Sequence, residues 1–88
     1  MAVFREGLAE SLTSLGIGLT ELGDHDGALS ADREAVSTYA ALLPLDPERY
    51  RDSLQQAVRN LAIDLGNLGR SEQEIADELD ALSLPDVD

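Results

Sequence analysis

The chain has no cysteine, no lysine and one histidine, and no apolar run in it approaches the ~20 residues that span a bilayer. Without cysteine there is no disulfide framework, no thiolate nucleophile and no sulfur metal site, which suits a reducing compartment and makes the cytoplasm the expected location. Nothing near Met1 resembles a charged segment followed by an apolar signal core, so a soluble chain is expected. Its six basic residues are all arginine and face eighteen Asp and Glu, a formal net charge of −12. That sign repels a phosphate backbone and the anionic face of a membrane, so neither nucleic acid nor membrane is an expected partner. An all-arginine basic set beside abundant Ala, Leu, Asp and Gly has the bias of a GC-rich bacterial genome.

Catalytic chemistry is equally sparse. A nucleophilic triad needs Ser, Thr or Cys beside a base, and His25 stands alone in a turn. Asp24-x-Asp26-Gly27 opens like a calcium loop, but no further ligands follow at the required spacing. The expectation is therefore no enzyme, no metal, no cofactor and no small-molecule substrate.

What the chain does contain is a repeat. Phe4 to Gly23, FREGLAESLTSLGIGLTELG, returns 46 residues later as Tyr50 to Gly69, YRDSLQQAVRNLAIDLGNLG. Arg5/Arg51, Leu8/Leu54, Leu15/Leu61, Ile17/Ile63, Leu19/Leu65, Leu22/Leu68 and Gly23/Gly69 are identical, and Phe4/Tyr50, Glu6/Asp52, Leu12/Val58 and Gly16/Ala62 keep size or charge. An internal period of this size marks stacked supersecondary units rather than one closed core.

The units are helical. Phe4, Leu8, Leu12, Leu15, Leu19 and Leu22 step by three and four, which predicts one buried stripe along a first helix closed by Gly23. Gly16 lies inside it, where a missing side chain lets a neighbouring helix approach; Gly18 has no evident role. Asp24 to Asp26 caps a second helix running to about Leu43, with Ala28, Leu29, Ala35, Val36, Tyr39, Leu42 and Leu43 as its inner face. The short turn makes the two an antiparallel hairpin. Pro44 ends the second helix, and Asp46-Pro47-Glu48 starts a third that repeats the first stripe as Tyr50, Leu54, Val58, Leu61, Leu65 and Leu68 before Gly69. Ser71 and Glu74 have capping-box spacing for a fourth helix reaching about Leu82, with Ile75, Leu79 and Leu82 inward and an acidic outer face. Residues 84–88 read as a tail. On this reading Leu15→Ala and Leu61→Ala should each cost ~2 to 5 kcal/mol as core truncations.

Leu12-x-x-Leu15-Gly16-x-x-Leu19, Leu22-Gly23, Ala28 and Ala35 in the first unit, with Val58-x-x-Leu61-Ala62-x-x-Leu65, Leu68-Gly69, Ile75 and Ala81 in the second, resemble the tetratricopeptide repeat. The departures are specific: the family's aromatic in the first helix is Leu19 or Leu65, its aromatic in the second falls on Asp32 or Glu78, and the period exceeds the usual ~34 residues. The pattern is similar to the family's long-helix bacterial variants. The resemblance implies an all-α fold over residues 1–83, two hairpins (about 4–43 and 47–82) stacked as a right-handed solenoid fragment, and a concave groove lined by the first helix of each unit.

Ile17 and Ile63 point away from the leucine stripes at ~100° per residue. The resemblance places them in that groove with a polar rim of Thr13, Thr20, Gln56, Arg59, Asn60 and Asn67, suited to a peptide or helix of a partner protein. Packing between the two first helices is the competing role for the isoleucines. Carboxylate capture of the kind some family members perform is not expected, since only Asn60 is retained and lysine is absent. Two repeats are fewer than the three usually needed for a continuous core, so the expectation is a fragment of a longer array, or a helical appendage that completes its core by homodimerisation.

Overall fold

The computed structural model describes residues 2–81, with side chains from Phe4 onward. Among them the protein is all-α: α1 (Ala2–Glu21), α2 (His25–Leu42), α3 (Pro47–Asn67) and α4 (Glu72–Ala81), with one 3-10 turn, Leu43–Leu45, between α2 and α3. The expected fourth-helix residue Leu82 and the tail at 84–88 lie outside the described residues.

The ends of the helices follow from local chemistry, and the two units end alike. Gly23 and Gly69 take φ of 82° and 84°, the left-handed conformation that only glycine adopts cheaply. In each, two free carbonyls of the last turn are satisfied: Gly23 and Asp24 donate to Thr20 and Leu19, and Gly69 and Arg70 donate to Gly66 and Leu65. Asp24 then accepts from the Gly27 N–H at 2.9 Å to open α2, and Asp46 accepts from the Arg49 N–H at 3.3 Å to open α3. At the start of α4 the Glu74 N–H donates to Ser71 Oγ (3.1 Å) and the Ser71 N–H to Glu74 Oε1 (3.0 Å), a reciprocal capping box. The bond from the Ser71 N–H, helped by the Ser71 hydroxyl, holds the Glu74 carboxyl below its usual range.

α2 is the centre of the structure, packing against both α1 and α3, while α4 adds a smaller contact with α3. Its Leu29, Ala35, Val36, Tyr39 and Leu42 join Leu43 and the α3 residues Tyr50, Leu54, Ala57, Leu61 and Leu65 in one buried cluster. Of the stripe expected on α3, Tyr50, Leu54, Leu61 and Leu65 are buried, and Val58 and Leu68, like Ile75 and Leu79 of α4, pack partly against the same cluster. Arg33 of α2 bonds Glu78 of α4, and Arg49 at the start of α3 forks onto Glu6 of α1 at 2.6 and 2.7 Å. That fork lowers the Glu6 pKa and fixes the N-terminal ends of α1 and α3 side by side.

The expected α1 stripe is only partly covered: Leu12 packs against the core cluster and Leu19 is partly buried, but the rest is exposed. Phe4 and Leu22 are 80% and 83% exposed, and Leu8 and Leu15 are about half exposed. α1 instead buries Ala9 and Gly16, with Thr13 and Thr20 partly covered, a small-residue face at steps of four, three and four. The reason is positional. α3 lays its leucines against α2, whereas α1 meets α2 through its small residues. Among the described residues nothing covers Phe4, Leu8, Leu15 or Leu22 to the extent that α2 covers the leucines of α3. Periodicity reports that a face is apolar, not that its partner is present.

Candidate functional site

Gly16 is the reason α1 and α2 carry a polar group between them. A Cβ there would lie 2.2 Å from Asp32 Oδ1 and 2.8 Å from its Cγ, so the missing side chain makes the space that the Asp32 carboxyl occupies. Asp32 sits four residues after Ala28 and three before Ala35, on the inner face of α2, and is 2% exposed. On α3, Asp64 occupies the matching kind of position, three residues after Leu61, and is 1% exposed. Two carboxyls from different helices are thus brought to one place inside the domain.

Around them is a cavity of about 170 Å³, open on one side, lined by Ile17, Thr20 and Glu21 of α1, Asp32 of α2, and Asn60, Ile63 and Asp64 of α3. Ile17 and Ile63 stand half exposed beside it. Thr20 Oγ lies 3.0 Å from the Gly16 carbonyl and 3.3 Å from Asp64 Oδ1, so its one proton is within reach of either. Gln56 Nε2 donates to Asn60 Oδ1 at 3.2 Å. Three buried polar atoms of the lining have no partner: Asp32 Oδ1, Asp64 Oδ2 and Asn60 Nδ2.

The electrostatics follow from burial. Desolvation disfavours ionised Asp32, and Asp64 adds to this both by hydrogen bonding to the protonated form and by repelling a second negative charge; together they push Asp32 up to about 8. At neutral pH the two carboxyls hold a proton between them. None of the residues lining the cavity is basic, so nothing in the lining offsets the remaining charge.

Of the residues expected in the groove, Ile17, Thr20, Asn60 and Ile63 meet at this cavity, and Gln56 reaches it through Asn60. Thr13 does not: its hydroxyl donates to the Ala9 carbonyl at 2.9 Å. Arg59 and Asn67 are exposed and lie outside the lining. The pair that distinguishes the cavity, Asp32 and Asp64, was not among the expected residues. A signal was there: each is an aspartate at a core-facing step of an apolar helix, an arrangement that burial penalises unless something compensates. Among the described residues no group of three or more His, Asp or Glu is placed to hold a metal ion, and no helix is long and apolar enough to cross a membrane. No protein-family model, no curated protein and no solved structure matches this chain.

Proposed function

We propose that the protein is a non-catalytic, tetratricopeptide-like binding module, cytoplasmic, whose groove between α1 and α3 receives an apolar, positively charged segment of a partner protein. The observation that carries the reading is the pair Ile17 and Ile63, repeat equivalents on two adjacent helices, both half exposed and both flanking one cavity. Residues that served only to pack the two helices together would be covered. The positive charge of the segment is argued from complementarity: the formal net charge is −12, and Asp32, Asp64 and Glu21 line the cavity without a basic neighbour. The test is selection from a random peptide library displayed on phage. Selected peptides should lose binding to the Ile17→Ser, Ile63→Ser double variant while its helical circular dichroism is unchanged. Equal binding, or unfolding of the variant, overturns the reading.

A second reading has its own observation, the exposed α1 stripe of Phe4, Leu8, Leu15 and Leu22. Single exposed leucines are ordinary, but an aligned apolar stripe is a surface that a second copy can cover by pairing α1 with α1 about a two-fold axis. Light scattering across about a hundredfold dilution separates the two. A monomer throughout rejects self-association; a dimer lost in Leu15→Glu supports it.

A further inference from the structure

We infer that the exposed face of α1 is a self-complementary antiparallel interface, on which a second copy of this chain lays its own α1, inverted about a two-fold axis at the level of Thr13. The inference deepens the self-association reading above and rests on it. Phe4 and Leu22 are 18 positions apart, about five helical turns, so they stand on one line of α1, and both are largely exposed. Within ~40° of that line, the half-exposed Leu8 and Leu15 lean to one side and Ser11 and Gly18 to the other. Inverting a second α1 so that Phe4 meets Leu22 of the copy also sets Leu8 beside its Gly18 and Leu15 beside its Ser11. Each large residue thus falls next to a small one, and the two-fold axis makes every such contact twice.

Glycine, charge and area each favour a second copy as the occupant. Gly7 and Gly18 weaken the helix, yet a Cβ on either would meet nothing within 4 Å, so no neighbour inside the chain requires a glycine there. A helix approaching from outside does require it. The equivalent positions of α3, whose leucines are already covered by α2, are Ser53 and Asp64. Although the formal net charge is −12, the face itself carries none: Arg5, Glu6, Glu10 and Glu21 all lie ~100° or more round α1 from the Phe4–Leu22 line. Two acidic copies therefore meet where neither is charged. The exposed parts of Phe4, Leu8, Leu15 and Leu22 amount to roughly 500 Å² per copy, or about 1,000 Å² for the pair, which reaches the lower bound of a specific interface. A head-to-tail stack is disfavoured, because Glu72, Asp77 and Asp80 are exposed on α4 and would face apolar side chains. Ile17 lies ~140° round α1 from the same line, so the pairing leaves the cavity of each copy open.

The test joins light scattering of the whole chain with pulsed electron spin resonance on an Arg5→Cys variant carrying a nitroxide, a unique label because the chain has no cysteine. In the antiparallel pair the two labels are offset by about 24 Å along the helix axes, whereas a parallel pair holds them side by side at roughly the 8 to 10 Å of packed helices plus the label arms. A dimer with the longer separation is expected. A dimer with labels side by side retains self-association and overturns the antiparallel pairing, whereas a monomer at every concentration overturns both. A size exchange then tests the register. Gly18→Leu fills the space that Leu8 of the other copy needs and should weaken dimerisation roughly tenfold or more, and adding Leu8→Ala should recover most of that loss. Undiminished dimerisation in Gly18→Leu, or no recovery in the double variant while circular dichroism shows both folded, would overturn the register.

Discussion

Leu15 and Leu61 are the same residue of the repeat in two environments, and truncating each to alanine measures the difference directly. Leu61 is 0% exposed at the centre of the cluster shared by α2 and α3, whereas Leu15 is 52% exposed on α1. Removing the outer atoms of Leu61 forfeits their transfer free energy and leaves an enclosed void, together about 2 to 5 kcal/mol. Leu15 has about half its surface in water already and encloses no void when cut back, so its loss should be roughly 1 kcal/mol or less. For a domain of this size each kcal/mol moves the melting temperature by about 4 to 8 °C, so Leu61→Ala should lower it by on the order of 10 °C or more and Leu15→Ala by only a few.

Thermal and urea unfolding followed by circular dichroism at 222 nm, run at two well-separated protein concentrations, resolves the two. Equal losses at both concentrations would refute the placement of α1, because they would mean that its leucine stripe is covered within the single chain. Equal losses only at the higher concentration would mean that a second copy covers it, and the self-association reading would then stand.

Two further predictions test the polar interior. Gly16→Ala should destabilise despite the ~1 kcal/mol helix propensity gained, because its Cβ would meet the buried Asp32 carboxyl at 2.2 Å, whereas Gly18→Ala, with nothing within 4 Å of its Cβ, should stabilise; the same urea titrations give both signs. Since the folded pKa of Asp32 is raised from 3.8 to about 8, its contribution to stability is fully present below the lower value and gone above the upper one, so between those two values the urea midpoint should fall more steeply in the wild type than in Asp32→Asn; parallel profiles would refute the shift. Comparing the two proteins removes the general repulsion among the remaining acidic groups, which both share.

The helices and their ends were legible because their signals are local. Asp24, Asp46, Ser71 with Glu74, Gly23 and Gly69 each act within four residues, and each is found capping or closing a helix as its spacing implies. The α1 stripe misled because burial is a relation between elements: the leucines of α3 have α2 packed against them, while no described helix covers Phe4, Leu8, Leu15 and Leu22 of α1 to that extent. Half of the site was legible for the same local reason: Ile17 and Ile63 contradict their own helix pattern and so stand out. Asp32 and Asp64, 32 positions apart in the chain, meet only through tertiary packing, and Gly16 acquires its meaning only from the Asp32 carboxyl beside it.

The repeat itself separates what stacking needs from what the cavity needs. The residues with which α3 builds the buried interface have counterparts in α1: Leu54 in Leu8, Leu61 in Leu15, Leu65 in Leu19, and the closing glycines likewise. The isoleucines at the mouth recur too, so they belong to the unit as a type. The polar residues of the cavity do not. Asp64 answers to Gly18, Asn60 to Ser14, Thr20 to Gly66 and Asp32 to Glu78, and Glu78 is taken up by Arg33 at the surface. The Gly16 that admits Asp32 becomes Ala62 where no buried carboxyl has to be accommodated. If two buried carboxyls were a requirement of stacking, the second unit would carry them in the same positions. Instead they occur only where α1, α2 and α3 enclose a cavity, at the cost of a raised pKa and two unpaired oxygens. A helix interior that carries this penalty at one place, while its twin does without it, carries it for a reason other than stacking.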